Sequence, residues 1–106
     1  MNSQVQMILS ELQKRLTALY GLRLKHLLLY GSTARGEAEP GSDLDVLVVL
    51  EGPVDAGREI EHTGAIVADL SLAHDVVIAC VFMDQERFLH RQGPFLRNVR
   101  REGIPL

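Results

Sequence analysis

Residues 27–50 read LLLYGSTARGEAEPGSDLDVLVVL, two apolar runs separated by a polar loop. The first run, Leu27, Leu28, Leu29 and Tyr30, breaks at Gly31-Ser32. The loop carries Gly31, Gly36 and Gly41 and closes on the turn signal Pro40-Gly41. The second run is rich in Val and Leu and is entered through Asp43-Leu44-Asp45. This pattern predicts buried strands over 24–30 and 43–50, with one helical turn over 32–35. Carboxylates at the mouth of a strand meant for a core are costly unless something positive offsets them.

Outward from this pair, Val5, Ile8, Leu9, Leu12, Leu16 and Leu19 recur at three- and four-residue steps, which predicts an amphipathic helix over 3–19 with Ser3 as N-cap and Gly21 as its stop. Lys14 and Arg15 fall on its solvated side. Downstream, Gly52-Pro53 breaks the chain and Asp55 caps a helix running to about Ala73, with Ile60, Ile66, Val67 and Leu70 at helical spacing. Residues 75–82, with Val76, Val77, Ile78 and Val81, read as a third strand. A helical turn over 84–90 and a short helix over 95–102 follow, parted by Gly93-Pro94. The order of elements predicts an α/β two-layer fold: a small mixed sheet covered on at least one face by the long helices, with strand ends open for a site.

At 106 residues the chain suits one compact domain, 1–106, with a radius of about 13 Å. No apolar run approaches the roughly 20 residues of a membrane span. The first ten residues lack a basic start, an apolar core and a small-residue cleavage site, so a cytoplasmic location is the expectation. The single cysteine, Cys80, sits in an apolar run as a small buried hydrophobe. His26, early in the first strand, and His74, which would face away on the third, read as packed or incidental. A net charge of −3 argues against direct nucleic-acid binding. Arg87, Arg91, Arg97, Arg100 and Arg101 crowd the last fifth as a solvated helix face, a partner surface or a triphosphate contact.

Asp43 and Asp45 are one residue apart, so on an extended strand their side chains share a face with Cα atoms about 6.6 Å apart. Two carboxylates so placed repel by roughly 3 kcal/mol at an effective dielectric near 20, and a divalent cation reverses that term. Magnesium suits such a donor set, because it takes one or two carboxylates and completes its shell with phosphate oxygens and water. A bare Asp-x-Asp also fits two exposed acids at a strand start. Gly31-Ser32, at the end of the preceding strand, supplies backbone amides and a hydroxyl suited to phosphate. Neither a Walker A loop nor the G-x-G-x-x-G spacing is present. Arg35 adds a cation that either contacts phosphate or supports the loop.

Gly31-Ser32, ten further residues, then Asp43-x-Asp45 resembles the signature of the nucleotidyltransferase superfamily typified by DNA polymerase β. The flanking Gly31-Ser32-Thr33-Ala34-Arg35-Gly36 and Ser42-Asp43-Leu44-Asp45-Val46 are similar to its minimal members, the antitoxin-type partners of HEPN toxins. The resemblance implies the polymerase β-like nucleotidyltransferase fold. It also implies transfer of AMP from ATP to an acceptor hydroxyl, with two magnesium ions held by Asp43, Asp45 and a third carboxylate on a later strand. Asp75 is the position that fits; Asp69 lies within a helix and Asp84 follows the strand. Gly31, Ser32, Arg35 and Ser42 would contact the nucleotide. The implied acceptor is a tyrosine hydroxyl of a HEPN ribonuclease bound in a hetero-oligomer. Steric neutralisation of that partner, and nucleotidyl transfer to a small molecule such as an antibiotic, are the alternatives. The length of the chain weighs against the last.

Overall fold

A computed structural model describes residues 2–39 and 41–106. Pro40, half of the expected turn signal, lies outside them. The N-terminal periodicity forms α1, Ser3–Tyr20. Its cap is Asn2 and not Ser3: the extended Asn2 places its side-chain oxygen 2.8 Å from the Val5 amide, so Ser3 is already helical. Gly21 ends the helix and a 3₁₀ turn, Gly21–Arg23, leads into β1, Leu24–Tyr30. The helical turn α2 is Gly31–Ala34, one residue earlier than expected. Strand β2 is Leu44–Leu50, leaving Asp43 just outside it. Helix α3, Ala56–His74, is capped by Asp55, which accepts from the Arg58 amide at 3.2 Å.

Strand β3 is Ile78–Asp84 and not the expected 75–82. The physical reason is a helix stop. Asp75 adopts φ 53°, ψ 50°, its amide donates to the Ser71 carbonyl, and residues 75–77 are spent leaving α3. His74, expected on a strand, is the last residue of that helix. Two short helices follow, α4 over Gln85–His90 and α5 over Pro94–Glu102, then β4, Ile104–Pro105, which the periodicity did not indicate.

The sheet order is β3-β2-β1-β4. Strand β2 is antiparallel to β1 and parallel to β3, and β4 is antiparallel to β1, so the sheet is mixed. Alternation along central β2 splits the core. Leu44, Val46, Val48 and Leu50 pack with Ile8, Leu12 and Leu16 of α1 and Leu70 of α3. Leu47 and Val49 pack the other way, with Leu96 and Val99 of α5. Burial on both faces explains why the run is continuously apolar, and each fully buried aliphatic side chain contributes about 1.5–3 kcal/mol. Asp45 has the parity of Leu47 and Val49. It therefore lies on the face covered by the short helices, at the end of the sheet where β2 begins.

Candidate active site

The antiparallel register pairs Tyr30, the last residue of β1, with Asp45, the second of β2. The chain must turn immediately after Tyr30, and Gly31 makes that turn with φ +79°. The space a Cβ would take on Gly31 is filled by the Asp45 carboxylate. Glycine is thus required twice, for its backbone angle and for the acid that lies against its Cα. Ser32 follows, half-buried at the start of α2. Thr33 is buried and donates its hydroxyl to the Asp43 carbonyl at 3.3 Å, joining the outgoing turn to the returning chain. Ser42, expected to contact nucleotide, has its hydroxyl accepting from the Glu39 amide at 2.8 Å and so closes the loop on itself.

Asp43 is exposed and Asp45 half-buried. Burial, and then the negative charge of Asp43, push the Asp45 carboxyl above the usual carboxylate range, with Arg35 opposing them. The two acids are therefore electrostatically coupled, as their spacing implied. The Tyr30 phenol is likewise raised, by burial first and by Asp45 second, and its ring meets Phe95 of α5 edge-on at 5.3 Å. Arg35 donates from Nε to Glu37 at 2.9 Å and from Nη1 to Glu102 at 3.1 Å, contacts that hold it in the charged form.

Asp75 is exposed at the end of α3. Among the described residues no group of three His, Cys, Asp or Glu side chains is placed to hold a metal ion. The structure lays Asp45 against Gly31 with Asp43 near enough to raise its carboxyl, and does not add Asp75 to them as a third ligand. Asp69 pairs with Arg15 of α1 at 3.1 Å, so Arg15 is not merely solvated. Asp84 stands opposite Leu50 at the far end of the sheet and caps α4. Arg100 donates to the carbonyls of Phe88 and Arg91, closing the end of α4. His26 packs against the Phe88 ring, and burial pushes the Cys80 thiol up to about 11. A hollow of about 520 Å³ beside the loop is lined by Thr33, Gly36, Ser42, Leu44 and the start of α1, and not by the two acids. Tyr30, Thr33 and Glu102 were not among the expected site residues. Strand parity signals Tyr30, whereas no local pattern signals Glu102.

The stretch that carries the turn and the paired acids lies inside a longer span that matches known proteins. A family model described as a nucleotidyltransferase domain matches residues 9–105. A Methanocaldococcus jannaschii protein named provisionally as a protein adenylyltransferase is 34% identical over 96 residues, 90% of this chain and 90% of its own. Among solved structures, a toxin–antitoxin crystallised with AMP-PNP superposes with a TM-score of 0.62 at 17% identity, covering 98% of this chain and 72% of that one. A provisionally named nucleotidyltransferase of Sulfolobus solfataricus superposes with a TM-score of 0.61 at 15% identity, covering 99% and 86%. The structural likenesses bear on the fold. The family match, which runs through the turn, the acids and all four strands, bears on the chain as a whole: it belongs to the nucleotidyltransferase domain family.

Proposed function

We propose that this nucleotidyltransferase transfers AMP from ATP to a tyrosine hydroxyl of a HEPN-type toxin with which it forms a complex. The observation that carries the chemistry is the Asp45 carboxylate lodged against Gly31 and coupled to Asp43. The pair is a hard-oxygen donor set with surplus negative charge, which fits magnesium. Asp43 and Asp45 would hold that ion, whose charge offsets theirs and that of the phosphates. The Gly31-Ser32 turn would bind phosphate oxygens through its amides and the Ser32 hydroxyl. Asp75, at the end of α3 and three residues before β3, would take the acceptor proton as the new oxygen–phosphorus bond forms and pyrophosphate departs. Asp43 is exposed and neither acid lines the adjacent hollow, which suits a protruding segment of another protein better than a small acceptor needing enclosure. The relative named for protein adenylylation and the toxin–antitoxin neighbour bound to an ATP analogue support the same direction.

Incubation with labelled ATP, magnesium and the product of an adjacent gene tests this. Label on that polypeptide, lost in Asp43→Asn with Asp45→Asn, is the expected result; label nowhere defeats it. Steric neutralisation has one observation on its side, the position of Asp75 outside the acid pair. It predicts that the double variant still silences the partner.

A further inference from the structure

We infer that Arg35 is a positioning residue, held by Glu102, and not a phosphate ligand; this rests on the nucleotide-site assignment above. The guanidinium has two carboxylate partners. One, Glu37, is local; the other, Glu102, is 67 residues away at the end of α5. Glu102 is the more buried acid, its side chain 19% exposed against 64% for Glu37. Arg35 in turn keeps the Glu102 carboxyl below the usual carboxylate range, with Arg101 as a weaker second partner.

The segment that carries Glu102 is itself fixed. Gly103 donates to the Val99 carbonyl, and a Cβ on Gly103 would run into that same carbonyl, so the helix ends in one geometry. The next residues, Ile104 and Pro105, pair with Leu29 and Leu28 of β1, immediately before Tyr30 and Gly31. The Leu106 amide then donates to the Leu27 carbonyl at 2.8 Å. The last residues thus run beside the strand that leads into the phosphate turn, and Arg35 ties the far side of that turn to them. Besides the tie, the described residues from Arg35 to Ser42 are held by the Arg35, Gly36 and Glu37 amides, which donate back to Gly31, Thr33 and Ser32, and by the mutual bonds of Glu39 and Ser42. All of these contacts are local, so Arg35 to Glu102 is the long-range one.

Charge reversal separates support from phosphate contact. Arg35→Glu is expected to weaken binding of a fluorescent ATP analogue with magnesium about tenfold, and Glu102→Gln about two- to fivefold, the range of a partly exposed ion pair. The double variant Arg35→Glu with Glu102→Arg restores the pair with its ends exchanged and is expected to recover most of the binding. If it binds as poorly as Arg35→Glu alone, Arg35 meets phosphate and the inference is overturned. Hydrogen exchange of the amides from Arg35 to Ser42 supplies a ligand-free readout. These amides are expected to exchange faster in Glu102→Gln and to slow again in the double variant, while α1 is unchanged in both. Equal loop exchange in wild type and Glu102→Gln overturns the supporting role even if no nucleotide binds. A wild-type protein that binds no nucleotide, with the exchange pattern intact, counts against the nucleotide site and leaves the tie standing.

Discussion

Burial first and then Asp43 oppose the charge of Asp45, and among the described residues the charge of Arg35 favours it. A carboxyl raised in the folded state binds more protons than in the unfolded chain across the window above the ordinary carboxylate value. Stability therefore falls as pH rises through that window, and the penalty is complete at neutral pH. Asp45→Asn removes it. In metal-free buffer at pH 7 the variant is expected to melt up to a few degrees higher than wild type while losing nucleotide binding. The gain should shrink at acid pH, and thermal melts across pH 4–8 check both points. Gly31→Ala moves the other way. It forces φ +79° on a residue with a Cβ and drives that Cβ into the Asp45 carboxylate. A loss of about 2 kcal/mol or more in urea denaturation is expected, together with loss of binding, because the acid must move. An Ala variant of wild-type stability would remove the claimed close approach.

At the scale of elements, the end of α3 is where sequence and structure part. Val76 and Val77 carry a β-branched signal, yet the chain leaves the helix through a left-handed Asp75, a conformation more usual for glycine or asparagine. Which residue takes the left-handed position depends on where β3 must meet β2. The Val77 carbonyl accepts from the Leu44 amide at 2.8 Å, so that junction is set by strand pairing and not by local propensity. The long helices and the first two strands were legible because their periodicity is strong and both faces of β2 are buried. Strand β4, two residues including a proline, has no periodicity to read. Two substitutions at Asp75 separate its roles. Asp75→Gly relieves the strained angle and is expected to stabilise by about 1 kcal/mol, whereas Asp75→Asn keeps the angle and the size and removes only the charge. If Asp75 takes the acceptor proton, both variants lose transfer at least about 100-fold while still binding nucleotide. Full transfer by Asp75→Asn would leave the residue as a helix stop and nothing more.

For the whole molecule, the acids and the turn were visible in the sequence because their spacing is local, but what surrounds them is assembled by the return of the chain. Phe95 reaches Tyr30 and Glu102 reaches Arg35 only because α5 and β4 fold back beside β1. The fold accordingly joins the turn after β1 to the last helix while leaving Asp45 with more opposing its charge than favouring it, so stability and ligand binding should be linked. A ligand that binds only the folded chain stabilises it by about 2.7 kcal/mol at a hundred times its Kd, which for a chain of this size is a rise in Tm of about 10 °C. Magnesium with ATP is expected to produce that rise, and ATP with excess EDTA to produce little of it, because a triphosphate beside two ionised carboxylates adds repulsion unless a cation lies between them. The double variant Asp43→Asn with Asp45→Asn should start at or above the wild-type Tm and respond to neither mixture. A wild-type shift that survives EDTA in full would place the nucleotide away from the acids and break the link between the strained carboxylate pair and the reaction.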